Sequence, residues 1–311
     1  MLDLRRLRVL AEVARQGSFS AAADALHLSQ SAVSQQVATL EREVGMPLLE
    51  RTGAGPKLTD AGRTAVGHAE AAIARLDEAE HELAAIAGLE GGELRIASFP
   101  TASAVLLTEA LAEFSGAHPK VRLSVTEAEP EQSLPMLRAA EVDVAVVFDY
   151  ESLPSSTLED RDVGLGLLLT ESMYLALPTS HPLAARDRIP MAELADEAWL
   201  CGTRPSSCSQ AVVDACRTAG FEPQITFESD EYAVLQGYVA AGLGYTLLPD
   251  LALPTLREDL VVRPTEPEAP KRRVWAATRA QGARSQSTEA IVETLVRVGE
   301  RVAQGNLELA A

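Results

Sequence analysis

Two short helical segments, separated by a three-residue turn near the start of the chain, constrain the fold more than any other feature of the sequence. A first amphipathic helix is predicted from Leu4 up to Gly17, and Ser18 or Ser20 can cap a second one that runs from Ala21 to Leu26. After the turn His27-Leu28-Ser29, Ser29 can cap a third helix, Gln30 to about Val44, which Gly45 and Pro47 end. This arrangement predicts a helix-turn-helix.

The third helix has two distinct faces. Val33, Val37, Leu40 and Val44 form one apolar stripe that must pack on the first two helices. Ser31, Ser34, Gln35, Ala38 and Arg42 fall on the opposite face. Small and amide side chains suit a surface that enters the major groove of DNA, where they can hydrogen-bond to base edges. The alternative is an ordinary solvated helix face.

A hairpin and a long helix are predicted next. The segment from Leu48 to Thr59 has a glycine-rich tip and would form a wing that places Arg51 and Lys57 beside phosphates. The following helix, to about Ala87, has apolar residues at heptad spacing and is interpreted as a dimerisation helix, the alternative being a helix that lies on its own domain. The stripe consists of Ala65, Ala69, Ala72, Leu76, Ala79, Leu83 and Ile86.

The net charge is −18, from 27 basic and 45 acidic residues, and taken alone it argues against a nucleic-acid partner. Its distribution changes that inference, because residues 1–64 carry +1, residues 65–93 carry −6 and residues 94–311 carry −13. No apolar stretch is long enough for a membrane span and no signal peptide is recognisable, so a cytosolic protein without a membrane partner is expected.

From Glu93 onward, strands alternate with helices, which predicts an α/β fold with a mainly parallel sheet. The segments form two α/β groups of fewer than a hundred residues each. A cleft is expected between them, with ligand-binding groups where strands end and helices begin.

The N-terminal motifs closely resemble the winged helix-turn-helix of LysR-type transcriptional regulators. The resemblance rests on Gly17-Ser18-Phe19-Ser20-Ala21-Ala22-Ala23, Leu26, Ser29 to Val37, Leu40-Glu41, Gly45, Leu48, Arg51 and Leu58-Thr59-Asp60-Ala61-Gly62. Later segments, such as Val239 to Pro249, resemble the effector domain of that family more loosely. Two departures are Ala54, where many members have a second basic wing residue, and Leu49 in place of the usual Phe.

The resemblance implies a DNA-binding domain at 1–60, a linker helix at 61–89 and an effector domain at 90–311. The effector domain would resemble periplasmic binding proteins, with lobe I at about 92–162 and 268–303 and lobe II at about 163–267. The implied partners are double-stranded DNA with an interrupted palindrome in a promoter, a small and often carboxylate effector, further copies of the chain in a dimer or tetramer, and RNA polymerase if the protein activates. By position, Gln30, Ser34 and Gln35 would read bases, while Ser31, Arg51 and Thr59 would hold the DNA backbone.

Candidate effector residues lie at the predicted strand ends. Ser98, Thr101 and Ser103 could hold a carboxylate at a helix N-terminus, although ordinary helix capping explains the same hydroxyl groups. Opposite them we expect Phe148 and Asp149, the loop Cys201-Gly202-Thr203-Arg204, and the segment Glu228-Ser229-Asp230. Arg204 is the cation expected there as an anion partner, the alternative being a solvated surface residue.

Other chemistry has little support in the sequence. Cys208 and Cys216 suggest a thiol-redox regulator, but their spacing on one helix would hold them about 12 Å apart, so buried structural thiols are favoured. The acidic clusters Glu127 to Glu131 and Asp149 to Glu151 are interpreted as solvated loops, with metal coordination left open. No catalytic motif, cofactor motif or metal-ligand spacing is present, so no enzyme is expected. A small-molecule binding protein without DNA function stays the alternative from another class.

Overall fold

The computed structural model describes residues 2–52, 55–86, 92–152, 162–280 and 284–309. The chain divides into two compact units, and the second of them begins at Glu93. Within the described residues, no helix is both long enough and apolar enough to cross a membrane.

The N-terminal unit is a winged helix-turn-helix followed by a long helix, as the sequence predicts. Its elements in chain order are α1 (Leu4–Gln16), α2 (Phe19–Ala25), α3 (Gln30–Val44), β1 (Leu49–Thr52), β2 (Gly55–Leu58) and α4 (Asp60–Ile86).

Local hydrogen bonds fix the ends of these helices. The hydroxyl groups of Ser18 and Ser29 accept from backbone N–H groups at the starts of α2 and α3, and Gly17 and Gly45 end α1 and α3 in the left-handed conformation. Ser18, and not Ser20, is therefore the cap, and α2 begins two residues before the predicted Ala21.

The core of this unit forms where the apolar stripes of α1 and α3 meet. Leu10, Val13, Val33 and Leu40 are almost completely buried there, together with Leu48 before the wing. Burial on this scale, at roughly 25 cal/mol per Å² of apolar surface, is what stabilises helices that are too short to persist alone.

A single carboxylate attaches the wing to the third helix. Oε1 of Glu41, on α3, accepts hydrogen bonds from the backbone N–H groups of Leu48 at 2.8 Å and Leu49 at 3.1 Å. The strands β1 and β2 then pair antiparallel, with Arg51 opposite Pro56. The tip of the hairpin, including Ala54, lies outside the described residues.

The first turns of the long helix α4 pack in the core of the N-terminal unit. Val66 and Ala69 are buried in the core of the unit, whereas Ala72 and Ala79 are exposed and Leu76 is 49% exposed. The residues of the predicted heptad stripe are therefore buried in the core of the N-terminal unit only as far as Ala69, and Ala72, Leu76 and Ala79 are exposed. The side chains of Leu83 and Ile86, which continue the stripe, lie outside the described residues.

The C-terminal unit alternates strands with helices. In chain order its main elements are β3 (Glu93–Ser98), α5 (Pro100–Ala102) continued through a π-turn into α6 (Thr108–Ala117), β4 (Arg122–Glu127), α7 (Pro130–Arg138), β5 (Val144–Tyr150), β6 (Val163–Glu171), β7 (Met173–Pro178), β8 (Ile189–Pro190), β9 (Ala198–Cys201), α8 (Ser207–Thr218), β10 (Gln224–Glu228), α9 (Tyr232–Ala240), β11 (Thr246–Pro249), β12 (Leu260–Arg263), β13 (Thr265–Glu266), β14 (Arg272–Arg279) and α10 (Gln286–Leu309).

The expectation of a mainly parallel sheet was wrong, because the largest sheet is mixed. Its order is β4-β3-β5-β14-β6, with β3 parallel to β4 and β5, and β14 antiparallel to β5 and β6. A strand that returns antiparallel needs no crossover helix. The strand β14 is of this kind, since it brings the chain back from the second group of strands to the first.

The second group of strands also forms a continuous layer. Strands β11 and β12 flank β7, and β9 pairs with β10. Tyr245, just before β11, accepts from the backbone N–H of Leu200 and donates to the carbonyl of Ala198, which joins β9 to β11.

The strand β6 lies on the other side of the expected lobe boundary. The sequence interpretation begins lobe II at residue 163, but β6 pairs along its length with β14 in the five-stranded sheet. The strand β6 therefore belongs to the five-stranded sheet, and the chain passes to the second group of strands at Ser172, between β6 and β7.

The close approach of α4 to the wing depends on a glycine. A Cβ at Gly62 would overlap the carbonyl oxygen of Leu48, whereas a Cβ at Gly67, further along the same helix, would meet nothing within 4 Å. We expect Gly62→Ala to destabilise the chain by about 1–3 kcal/mol, since the backbone has to move. Gly67→Ala should stabilise it by about 0.5–1 kcal/mol through helix propensity. Denaturant titrations of the two variants measure both effects, and equal midpoints would show that this close approach does not matter.

Candidate functional site

The predicted base-reading face lies on the exposed side of α3. Gln30, Ser31 and Gln35 are exposed and Ser34 is half-buried, while Val33 and Val37 face the core. The hydroxyl of Ser31 lies 3.0 Å from that of Ser29, the residue that caps the helix. The structure thus places the amide and hydroxyl side chains on one accessible surface of the helix.

The other predicted DNA contacts surround this helix. Lys57 is exposed on β2, and Arg42 is exposed at the end of α3, where its guanidinium donates to the hydroxyl of Thr39 at 2.8 Å. Arg51 lies on β1, with a side chain outside the described part of the chain. The Thr59 hydroxyl donates to the carbonyl of Pro47 at 2.9 Å and accepts from the N–H of Gly62 at 3.0 Å. It therefore already caps α4, and its proton is committed.

A cavity of about 210 Å³ lies between the two layers of the C-terminal unit. It opens where the parallel strands β3, β4, β9 and β10 end and the following helices begin, as expected for an α/β fold. Its walls are formed by Phe99, Pro100, Thr101, Glu129, Glu131, Gln132, Phe148, Gly202, Thr203, Arg204, Pro205, Ser206, Cys208, Ser229, Asp230, Tyr232, Leu235 and Arg272.

Seven of the residues expected around the effector line this cavity, and the others do not. The cavity wall contains Thr101, Phe148, Gly202, Thr203, Arg204, Ser229 and Asp230, whereas Glu228 lies outside it. Ser98 is completely buried, and the hydroxyl of Ser103 is buried without a hydrogen-bond partner among the described residues. Asp149 accepts from Arg273 at 2.9 Å and from the indole of Trp275 at 3.1 Å. Successive side chains of a strand point to opposite faces, so Phe148 in the cavity wall places Asp149 on the other side.

The buried cation of the site is Arg272, which sequence analysis missed. Its side chain is 1% exposed, and its Nε donates to Oε1 of Glu171 at 2.7 Å. Nη2 donates to the hydroxyl of Thr101 at 3.1 Å. The guanidinium also lies 5.0 Å from the ring centroid of Phe99 and 4.9 Å from that of Phe148, within cation–π distance of both.

The same ion pair connects the two layers of strands. Oε2 of Glu171, at the end of β6, accepts from the backbone N–H of Leu251, just after β11. One residue on, the N–H of Ser172 donates to Asp250 at 2.9 Å. The crossing between the layers is therefore held by two carboxylates, one of which also neutralises the cation in the cavity wall.

Arg204, the cation expected as an anion partner, is engaged elsewhere. Its Nε donates to Oε1 of Glu228 at 2.8 Å, and its backbone N–H donates to Oε2 of the same residue at 3.0 Å. Hydrogen bonds from Arg204 hold the pKa of the Glu228 carboxyl below its usual range. Arg204 and Glu228 therefore form an ion pair without net charge at the rim of the cavity.

Two residues of the acidic cluster that we interpreted as a solvated loop face the cavity. Glu129 and Glu131 follow β4, and Asp230 lies opposite them after β10. Oε1 of Glu131 accepts from the N–H and hydroxyl of Ser207, at 3.1 and 2.9 Å, and Oδ1 of Asp230 accepts from the N–H of Thr203 at 2.7 Å. Asp230 was expected in the site, and the position of Glu129 and Glu131 after the end of β4 is the signal that could have identified these two residues as well. In the described ranges, no group of three or more His, Cys, Asp or Glu side chains could hold a metal ion.

The cysteines are free thiols, and their surroundings favour the protonated form. Cys208 lines the cavity and accepts a hydrogen bond from the Tyr150 hydroxyl at 3.6 Å, whereas Cys201 and Cys216 are buried. Burial raises the pKa of Cys208 and Cys201 to about 11 and that of Cys216 to about 12. Cys208 and Cys216 both lie on α8, as predicted.

The buried ion pair gives a test of the architecture of the site. Arg272→Met leaves Glu171 buried without its partner, and we expect a loss of about 3–5 kcal/mol of stability. The double variant Arg272→Met/Glu171→Leu should recover most of this loss, since no charge stays buried. Arg204→Met, which breaks the exposed pair with Glu228, is the control with a much smaller loss. Denaturation of the four proteins measures the differences, and a double variant as unstable as Arg272→Met would contradict this account.

Known families match both units of the chain. The model described as "Bacterial regulatory helix-turn-helix protein, lysR family" matches residues 4–63, and the model described as "LysR substrate binding domain" matches residues 87–300. The two matches cover the winged helix-turn-helix and the cavity-bearing unit up to residue 300.

Individual proteins are similar over most of their length. The transcriptional dual regulator GltC of Bacillus subtilis is 30% identical over 80% of this chain and 81% of its own, and the DNA-binding transcriptional dual regulator OxyR of Escherichia coli is 30% identical over 89% and 90%. Among solved structures, a full-length OxyR variant from Pseudomonas aeruginosa has a TM-score of 0.70 at 24% identity and covers 95% of both chains. CbnR in complex with its target DNA has a TM-score of 0.60 at 23% identity and covers 97% of this chain and all of its own. The chain therefore belongs to the LysR family of DNA-binding transcriptional regulators, which are not enzymes.

Proposed function

We propose that this regulator changes its DNA binding when a small-molecule effector occupies the cavity between the two layers of the C-terminal unit. The cavity at the strand ends, which is open on one side, is the observation that carries the proposal. Its wall combines an apolar surface with hydroxyl and charged groups, the composition of a small-molecule site. The crossing between the layers at Ser172 gives such an effector a hinge on which to act.

The DNA-binding surface is assigned to the exposed side of α3 and the wing. Gln30, Ser34 and Gln35 would read base edges, and the phosphates would be held by Ser31, Arg42, Arg51, Lys57 and Thr59. The exposed amides of Gln30 and Gln35 and the exposed ammonium of Lys57 support this division. Thr59 has only an oxygen lone pair left to offer, so its role is the weakest of the set.

The domain division follows from these roles. Residues 1–60 would bind DNA, residues 61–89 would link and dimerise, and residues 90–311 would bind the effector. Because β6 pairs in the five-stranded sheet, lobe II is proposed to begin after Glu171. The exposed apolar side chain of Leu76, between exposed alanines on the same face of α4, supports a homodimer or a dimer of dimers. The regulator would act in the cytoplasm on a promoter with an interrupted palindrome, and through RNA polymerase where it activates.

A second candidate is a regulator that senses oxidants through a thiol. The OxyR relatives and the position of Cys208 in the cavity wall favour it. The burial that raises the pKa of this thiol to about 11 opposes it, since the thiolate is the reactive form. Cys216 is buried on the same helix at a spacing that does not allow a disulfide while the helix is intact.

Peroxide treatment separates the two candidates. We expect operator binding by the wild-type protein to be the same before and after hydrogen peroxide, because Cys208 is protonated at neutral pH. Electrophoretic mobility shifts with the wild type and Cys208→Ser measure this. A peroxide response that only the wild type shows would make the thiol regulator the better assignment.

The reading face predicts how single substitutions change operator binding. Gln35→Ala should cost on the order of 1–3 kcal/mol in specific binding and relax base preference, because it removes hydrogen bonds to a base edge. Lys57→Ala is the matched control on the wing. This substitution should weaken binding to all DNA sequences alike. It should also reduce the magnitude of the slope of log K against the logarithm of the salt concentration by about one. Footprinting of each purified variant on the operator and on unrelated DNA measures both, and an unchanged footprint for Gln35→Ala would refute the assigned face.

A further inference from the structure

The anion-binding features around the cavity are already occupied by carboxylates of the chain itself. Glu171 neutralises Arg272, and Glu228 neutralises Arg204. The N-terminus of α8 would attract a ligand carboxylate, but Glu131 already accepts from its first N–H group. Asp230 accepts from the N–H of Thr203 in the same way. A carboxylate effector, as the family resemblance predicts, would have to displace an internal carboxylate at each of these positions.

The charges left in the cavity wall are negative. Arg272 and Arg204 each form an ion pair with their own glutamate. Three other acidic side chains line the cavity, and among the described residues none of them forms an ion pair with a lysine or arginine. They are Glu129, Glu131 and Asp230. Three carboxylates around one small cavity repel an anion and attract a cation.

Glu129 is the carboxylate with the least support from the protein. Within the described part of the chain its side chain accepts no hydrogen bond. The charged groups that face it are Arg272 from β14, Glu131 from its own segment, Asp230 from the loop before α9 and Glu127 from β4. Two further titratable groups, the Cys208 thiol from α8 and the Tyr232 hydroxyl from α9, also face it. The pKa of Glu129 is raised to about 7, mainly by burial and also by the three acidic neighbours, while Arg272 acts in the opposite direction. A positive group beside Glu129 would relieve this unfavourable environment.

The size and the remaining wall define the rest of the ligand. A volume of about 210 Å³ is below the range of about 300–1,000 Å³ found for drug-sized ligands, so the occupant is small. Pro100, Pro205 and Leu235 supply apolar surface, and Gln132 and Ser229 supply hydrogen-bonding groups. The described residues hold no cluster suited to a metal ion, which favours an organic cation.

We propose that the effector is a small organic cation, an amine or guanidine on a short apolar carbon chain, whose charged group is bound by Glu129 with Asp230 and Glu131 around it. This inference rests on the proposed function, since it names the chemical class of the ligand for the same cavity. It replaces the carboxylate that the resemblance implies.

Calorimetric titration of the full-length protein with matched probes tests the sign of the charge. The probes are butane-1,4-diamine, 4-guanidinobutylamine and 2-phenylethylamine as cations, and butanedioate as a dianion of similar length. We expect saturable binding of at least one cation at pH 8 and none of the dianion. Binding of butanedioate, or failure of all three cations up to millimolar concentrations, would overturn the proposal.

Variants and pH identify the carboxylate involved. Glu129→Gln should weaken binding of the cation at least tenfold, while Glu127→Gln, a neighbouring exposed carboxylate outside the cavity wall, should leave it within twofold. Because the ionised form of Glu129 binds the cation, the wild-type affinity should rise about tenfold from pH 6 to pH 8. The affinity of Glu129→Gln should be the same at both pH values. A pH-independent wild type, or equal effects of the two substitutions, would show that Glu129 is not the partner.

Operator footprinting without and with the probe keeps this inference separate from the proposed function. If the amine binds in a Glu129-dependent manner but the footprint does not change, the charge assignment holds and the regulatory role of the cavity fails. If butanedioate binds and changes the footprint, the regulatory role holds and the cation is ruled out.

Discussion

The ion pair between Arg272 and Glu171 is the interaction on which the C-terminal unit depends. It joins the start of β14 to the end of β6, and the second oxygen of Glu171 also binds the backbone just after β11. Burying two charges costs several kcal/mol, and a well-packed apolar pair could be as stable. The pair is therefore better explained by what it positions than by what it stabilises. One carboxylate determines where the two layers meet and removes the positive charge that would otherwise dominate the cavity.

The N-terminal unit could be predicted from the sequence almost residue by residue because its determinants are local. Ser29 and Gly45 mark the two ends of α3, and Val33, Val37 and Leu40 repeat at helical spacing, all within about four turns. Each of these signals acts over a few residues, so no knowledge of distant contacts is needed. The same holds for the helix N-terminus near Thr101, which places that residue in the cavity wall.

The features of the C-terminal unit that the sequence did not predict depend on contacts between residues far apart in the sequence. The strand β6 contains Gly164 and Gly166, which weaken a strand pattern, and it is recognised only through its register with β14. Arg272 was missed because an arginine is normally exposed and its partner Glu171 is 101 residues away. Arg204, which has the expected loop position, was favoured as an anion partner, although Glu228 on the facing segment engages it. Sequence reasoning identified strand ends as the site and could not assign the charges within it.

The bond between Glu41 and the two N–H groups before the wing has a geometric consequence for the DNA. A helix in the major groove and a hairpin over the flanking phosphates would normally be two contacts with an adjustable distance between them. Here one carboxylate on α3 holds the first residues of the hairpin at hydrogen-bond length. In the proposed complex with DNA, the protein would therefore fix the separation between the helix in the groove and the hairpin over the phosphates. Operators with a different local groove width would have to deform to fit, so the stiffness of the DNA would contribute to recognition.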